Sequence, residues 1–364
     1  MKNIYISTFH NADNYGAVLQ CYALYAFLKK NSYNALVINH VNHQILKGYR
    51  IFNTSGIKSL LKSILYLKKS IVRKINFRRF RNNINIDNNI KDINYCFKDD
   101  DIIITGSDQV WNPKITGGFD DTYFLINSND NIKKISYAAS CGDLKYIEQY
   151  SDIFISLIRN LDYISVREKS LQSYLDTRID KNVELVLDPT LLLNQSEWMH
   201  FIYEKPIINE KYIFVYTVGN ENSLFINSVN DLSKKTGYKI VYFDQSDLKN
   251  KYKCVKDNWY KAGPMEFLNL LYYSEFVITT SFHALSFSII FNKSFGVVLS
   301  DKIDRLVSLL SLVKLENRVI NNTNDILTLY NKKIDWNEVN LILDDSRKTS
   351  QNWLLGAINN KRGK

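Results

Sequence analysis

Short, strongly apolar runs alternate along the chain with longer stretches in which apolar residues recur every three or four positions. Asn3–Thr8, Asn34–Asn39, Asp101–Thr105 (DIIIT), Lys134–Ala138 (KISYA), Tyr163–Val166 and Glu184–Leu187 read as buried strands. Gly16–Lys30 and Glu168–Asp176 read as helices between them. Asp188-Pro189 then closes the first set, because a proline cannot continue a strand ladder. A second set follows, with strands at Tyr212–Val218, Lys239–Phe243, Phe276–Thr280 and Phe295–Leu299. Its helices fall at about 222–236, at 264–273, from His283 onward and at 303–313. Strand–helix alternation of this kind predicts parallel α/β layers. The expected division is an N-terminal domain over 1–195, a C-terminal domain over 205–335, and a segment 336–364 whose helix folds back to brace them.

Size and composition sharpen this picture in two places. A chain of 364 residues exceeds what one hydrophobic core usually supports, so two domains facing across a cleft are expected, and clefts are where small ligands bind. The 45% hydrophobic and 23% charged residues belong to a globular protein and exclude a disordered one. Cys21, Cys96, Cys141 and Cys254 lie far apart and form neither a disulfide framework nor a zinc-ligand spacing. The opening MKNIYISTF lacks the features of a signal peptide, so reduced thiols in the cytoplasm are expected.

The net charge of +10 is concentrated rather than spread. From Lys58 to Arg81 the chain carries nine Lys/Arg and no acidic residue, with Leu61, Ile64, Leu65, Ile71, Ile75 and Phe80 near helical spacing. Two readings of this helical insertion, near 56–82, stay open. It lies peripherally on an anionic membrane at the inner face, through 58–81, or it packs its apolar side on its own domain and solvates its basic side. Nucleic acid is not an expected partner, since no nucleic-acid module accompanies the patch. The most apolar window, Phe276–Ser300, is broken by His283, Asn292 and Lys293 and reads as strand, helix, strand rather than a membrane span.

Four places carry candidate chemistry. In Phe9–Gln20 (FHNADNYGAVLQ) a strand gives way to a polar loop and Gly16 opens a helix, leaving N–H groups that, with Asn14 and Tyr15 beside them, can hold an anion or sugar hydroxyls. An ordinary helix cap accounts for the same pattern. In Gly106–Asn112 (GSDQVWN), Ser107 and Gln109 can bond sugar hydroxyls, Trp111 can pack on a sugar face, and Asp108 can serve as a base. A capping aspartate and a core tryptophan are the alternative. Arg167 follows an apolar strand and is placed to grip a carboxylate or phosphate, or else to pair locally with Glu168. His283 opens a helix after a strand, with Ser281 as N-cap, and reads equally as proton donor or core histidine. There is no nucleophilic triad, metal-ligand cluster, P-loop or GxGxxG, which argues against hydrolases, kinases and dehydrogenases.

Taken in order, NADNYGAVLQCYAL, DIIITGSDQVWNP, KKISYAASCG, ISVREKSLQSYL, VLDPTLLL and GPMEFLNLLYYSEFVITTSFHALSFSIIFNKSF resemble the polysaccharide pyruvyl transferase family over roughly residues 3–320. The resemblance implies two Rossmann-like domains in a GT-B-like frame. It also implies transfer of the enolpyruvyl carbons of phosphoenolpyruvate onto hydroxyls of a bacterial surface glycan, a capsule or exopolysaccharide precursor, as a pyruvate ketal. The acceptor would be a sugar or a lipid-linked oligosaccharide, with phosphoenolpyruvate as donor and no metal or further cofactor. The family's functional arginine matches Arg167 and its histidine matches His283, the general acid. Many members carry Arg-Leu where this chain has Ser281-Phe282, and Lys302, Arg305 and Arg318 are candidates to supply that cation. A nucleotide-sugar glycosyltransferase on the same frame, or an inactive glycan-binding relative, are the alternatives.

Overall fold

The computed structural model describes residues 2–51, 56, 63–126, 131–219, 221–243, 252, 255–299 and 303–360, with backbone alone for 255–257 and 303. Lys302 and Cys254, and residues 57–62 of the basic stretch, lie outside the described residues. The chain divides into two compact units, one of Met1–Arg50, Arg81–Leu193 and Asp344–Lys364, the other of Ile51–Phe80 and Asn194–Leu343.

The first unit is built on β1 (Asn3–Ser7), β2 (Asn34–Ile38), β3 (Ile86–Asp87), β4 (Ile102–Thr105), β5 (Lys133–Ala139), β6 (Tyr163–Val166) and β7 (Val183–Leu185). They form one parallel sheet in the order β3-β2-β1-β4-β5-β6-β7. The central strand β4, IIIT, is buried at all four positions, as a parallel strand covered on both faces must be. The order reverses between β1 and β4, so the loops leaving their carboxyl ends flank the switch point, where ligands of doubly wound sheets bind.

The second unit repeats the plan with β8 (Tyr212–Tyr216), β9 (Lys239–Tyr242), β10 (Val255–Asn258), β11 (Phe276–Thr279) and β12 (Phe295–Val297), ordered β10-β9-β8-β11-β12. All pairings are again parallel. Its switch point lies between β8 and β11, and β11 feeds the Ser281–His283 turn. Both sheets end in a strand that the hydrophobic pattern does not reveal. Ile86–Asp87 is two residues long and Val255–Asn258 is a polar VKDN, as edge strands can be because one side has no partner to satisfy.

The basic stretch corrects one expectation. Rather than an insertion of the N-terminal domain, its helix Leu67–Arg81 groups up to Phe80 with the second unit. Arg73 donates through Nη1 to the carbonyls of Tyr260 and Ala262, both at 3.2 Å, and Asn76 donates to that of Lys261 at 3.2 Å. Phe80 packs on Phe201 with ring centroids 4.9 Å apart. The final helix, Trp336–Asn359, buries Val339 and Leu343 with the second unit and joins the first from Asp344 onward. There Arg347 donates to Leu191 O at 2.8 Å and Ser350 accepts from Leu187 N at 3.0 Å. Lys133 caps the helix end by donating to the carbonyls of Ala357 and Ile358.

Among the described residues no helix is long and apolar enough to cross a membrane.

In the second unit Asn269, wholly buried on helix Pro264–Tyr272, accepts from Tyr203 N at 2.6 Å and donates to the carbonyls of Phe201 and Met265 at 2.9 and 2.8 Å. Asn269→Ala should strand two of these backbone groups away from water and cost about 2 kcal/mol. Thermal unfolding should show the loss as a drop of several degrees, and an unchanged transition would show that water replaces the amide.

Candidate functional site

In the first unit, the loop leaving β4 is pressed against β5. Gly106 adopts φ +105°, and a Cβ there would run into the Tyr137 carbonyl, so glycine is required for the close approach. Ser107 Oγ lies 2.8 Å from Ala138 O, and Asp108 forms a parallel bridge with Ala139. Non-glycine residues at positive φ are few among the described residues, yet Asp108 (φ +72°) and Ala138 (φ +50°) both sit here. Conformations of this kind gather where a site must be held in a set geometry. Gly142, at φ +81°, lets the next loop close over the Gln109 and Asn112 amides, which bond each other at 2.7 Å.

Arg167, at the carboxyl end of β6, fills the space beneath this loop, with its side chain 1% exposed. Nη1 donates to Asp188 Oδ2 at 2.6 Å and to Ser107 Oγ at 3.2 Å, and Nε donates to Glu168 Oε1 at 3.3 Å. Nη2 reaches Asp108 Oδ1 at 3.4 Å. Burial opposes the arginine's charge, but the carboxylates of Asp188, Glu168 and Asp108 more than offset it and hold its pKa above the usual range. The local pairing with Glu168, the alternative to an anion grip, is present, and two further carboxylates join it.

Asp188 and Glu168 are themselves anchored. Thr190 donates to Asp188 Oδ1 through both N and Oγ1, at 3.0 and 2.8 Å, and Ser140 donates to Glu168 Oε1 at 2.6 Å. Asp108 differs from them. Its Oδ1 takes Gln109 N at 2.9 Å besides Arg167, its side chain is 13% exposed, and Oδ2 makes no hydrogen bond among the described residues. One carboxylate oxygen is therefore held while the other is presented. Nearby Cys141 is no nucleophile, since burial and then Glu168 push its thiol well above the usual range.

The loop after β1 reaches the same switch point. Thr8 donates to Ser107 O at 3.0 Å and accepts from Gln20 at 2.8 Å, tying this loop to the one after β4. Arg81 wraps its turn, donating to the carbonyls of His10, Asn11 and Ala12 and to Asp13 Oδ1, at 2.7 to 3.1 Å. Asn14 caps helix Tyr15–Lys30 by accepting from Ala17 N at 3.1 Å, and its Nδ2 makes no hydrogen bond among the described residues. Tyr15 and Gly16 are buried in the helix's packed side.

Two sequence readings of this unit give way. Trp111 is fully buried, stacked 5.8 Å from Phe124 and edge-on to Phe154, with Nε1 donating to Tyr123 O at 3.2 Å. It is a core residue and presents no face to a sugar. Gln109 is likewise buried, its carbonyl occupied by Asn112. Asp188, by contrast, carries no signal in the sequence beyond preceding a proline at a strand end, yet it makes the shortest contact of the arginine.

In the second unit, β11 ends in Thr279, whose Oγ1 donates to Tyr216 O at 2.6 Å and accepts from Ser281 N at 2.9 Å. Thr280 Oγ1 accepts from Val218 N at 2.9 Å, fastening the loop after β8 to the turn. Ser281 is the N-cap of Phe282–Ile290, a helix buried at all nine positions. His283 is its second residue, 8% exposed, with its ring edge-on to Phe282 at 5.3 Å.

Of the three candidate cations, Arg305 comes to this turn. Helix Ile303–Leu312 carries it, and its guanidinium carbon lies 5.8 Å from the Phe282 ring centre. Arg318 does not. It is 1% exposed and donates to Phe295 O at 2.8 Å, at the amino end of β12, and to Lys332 O at 3.1 Å. Burial lowers its pKa to about 10. Its place is structural, at the sheet edge opposite the ligand loops. Among the described residues no group of three His, Cys, Asp or Glu side chains could hold a metal ion.

Comparison with known proteins adds a family and a fold. The sequence profile of the family described as polysaccharide pyruvyl transferase matches residues 14–302. No curated protein matches the chain. Among solved structures, a putative UDP-N-acetylglucosamine 2-epimerase from Listeria monocytogenes superposes with a TM-score of 0.58 at 11% identity, covering 98% of this chain and 96% of that one. The UDP-GlcNAc 2-epimerase from Neisseria meningitidis, bound to UDP-GlcNAc, gives 0.51 at 12% identity, covering 98% and 100%. At such identities the likeness is one of fold alone, and it is the α/β, GT-B-like class expected from the sequence.

Two measurements follow from the geometry. Asp188→Ala removes the closest counter-ion of a buried arginine and should cost about 3 kcal/mol in unfolding free energy, more than any exposed carboxylate substitution. His10 is buried with a pKa lowered below its ordinary 6.5, first by desolvation, so the unfolded chain takes up its proton sooner than the folded one. Stability should therefore decline as pH falls through 6.5 and below, and His10→Gln should flatten that decline in pH-dependent melts.

Proposed function

Because the chain belongs to the polysaccharide pyruvyl transferase family, we propose that it moves the enolpyruvyl carbons of phosphoenolpyruvate onto hydroxyls of a bacterial surface glycan precursor, forming a pyruvate ketal. The observation that carries this reading is the family match over 14–302, which takes in Asp108, Arg167 and His283.

The chemistry assigns a role to each. A proton must reach the methylene carbon of the donor so that positive charge develops at C2. His283, at a helix N-terminus, is the general acid that delivers it. One acceptor hydroxyl then adds to C2, and a second displaces phosphate as the C2–O bond to the leaving group breaks. Of the two hydroxyl protons released, one balances the proton placed on the methyl carbon and the other leaves with phosphate. Asp108 is the base for the attacking hydroxyl, because its Oδ1 is anchored and its Oδ2 is open.

Arg167 was expected to grip a substrate anion, but its donors are turned to three carboxylates and its side chain is 1% exposed. Its proposed part is to position Asp108 rather than to bind the donor. Arg305 takes over the anion-binding duty that many relatives give to an arginine at the place of Ser281, and Asn14 Nδ2 is offered to an acceptor hydroxyl. The reading proposes a cytoplasmic site of action, where phosphoenolpyruvate and lipid-linked acceptors are both available.

The test is phosphate release from phosphoenolpyruvate with a synthetic or lipid-linked oligosaccharide acceptor. His283→Ala and Asp108→Asn should each lower kcat by about 100-fold or more. Full activity in His283→Ala would remove the histidine from the mechanism. Thermal shift separates the donor class, since phosphoenolpyruvate should raise the Tm. Stabilisation by a nucleotide sugar with none from phosphoenolpyruvate would point instead to a glycosyltransferase.

A further inference from the structure

The helix Leu67–Arg81 has two faces of different fate. Ser70, Phe77 and Phe80 are buried, and Arg73 and Asn76 are bonded to the 260–262 carbonyls, so one side is committed to the second unit. On the other side Ile71 and Ile75, four residues apart and hence in line along the helix, are 42% and 55% exposed. Ile64, in the turn of helix just before, is 53% exposed and falls on the same side. Lys68, three residues before Ile71, and Arg78 and Arg79, three and four residues after Ile75, are exposed beside this line. No acidic residue occurs on the helix.

An apolar line rimmed by cations on both sides has a specific physical complement. A solvated basic face would carry no isoleucines, and a core-packing stripe would be buried. A partner protein with an acidic rim would need a matching groove, whereas a bilayer with anionic headgroups supplies negative charge at the level of the cations and hydrocarbon directly beneath it. The helix is short and far too polar to cross, so it can only lie in the interface plane. We propose that this face, Ile64, Ile71 and Ile75 with Lys68, Arg78 and Arg79, docks the protein on an anionic lipid membrane. On this proposal one side of the helix is packed on the second unit and the other is left to meet the membrane. The proposal does not depend on the ketal chemistry.

The experiment uses the full chain and vesicles of phosphatidylcholine alone or with one third phosphatidylglycerol. The protein should sediment with the anionic vesicles, not with the neutral ones, and should be released as salt is raised several-fold. Two paired substitutions divide the contributions. I71D/I75D and R78E/R79E should each weaken anionic-vesicle binding by about tenfold or more, leaving the melting temperature and turnover of a soluble acceptor unchanged. Wild-type failure to bind, equal binding to both vesicle types, or wild-type binding by both pairs would overturn the proposal. So would a wild-type dimer that I71D/I75D converts to monomer without affecting vesicle binding, since a second copy would then cover the face.

Discussion

A guanidinium removed from water has to be neutralised where it sits, and in the first unit that requirement organises four loops at once. Arg167 draws Asp108 and Ser107 from the loop after β4, Asp188 from the loop after β7, and Glu168 from its own strand end. Glu168 in turn holds Ser140 in the loop after β5. Three carboxylates around one cation leave the cluster rich in acceptors, so the donors of Thr190, Ser140 and the Gln109 amide complete it. Loops that would otherwise be the most variable part of a doubly wound sheet are thus fixed by charge pairing rather than by apolar packing.

The arrangement also separates two jobs that sequence reasoning assigns to a single residue. An arginine at the end of a strand suggests an anion site, because a rigid fork of donors fits a carboxylate or phosphate. A fork already filled from within the protein transmits orientation instead. The second unit takes the complementary course, with Ser281 spent as a cap and Arg305 arriving from a different helix to stand near the turn.

Much of this was legible from residue order. Strands such as DIIIT and YISV announce themselves because a parallel strand covered on both faces must be apolar throughout, and the candidate loops follow from where those strands end. Elements whose identity rests on a distant neighbour stay hidden. Ile86–Asp87 and Val255–Asn258 are strands because β2 and β9 are there to pair with, not because of their own composition. Trp111 looks like a sugar platform until Phe124 and Phe154 close around it, and Arg318 looks like a free cation until the carbonyls of Phe295 and Lys332 take it up. Asp188 sits beside a proline that explains it locally, which conceals its partner 21 residues earlier.

The last helix gives the two units different histories on the ribosome. Every strand of the second unit, and the helix before it that joins its core, has been synthesised once residue 343 emerges. The first unit, although its seven strands are complete by Leu185, still lacks the residues that bond Leu187 and Leu191, pack on Tyr137 and receive the Lys133 ammonium. Those arrive with Arg347–Ile358, after every strand of both units. The first unit is therefore completed after the second, although its strands are made first, and until then the β5 to β7 side of its sheet lacks the cover of this helix.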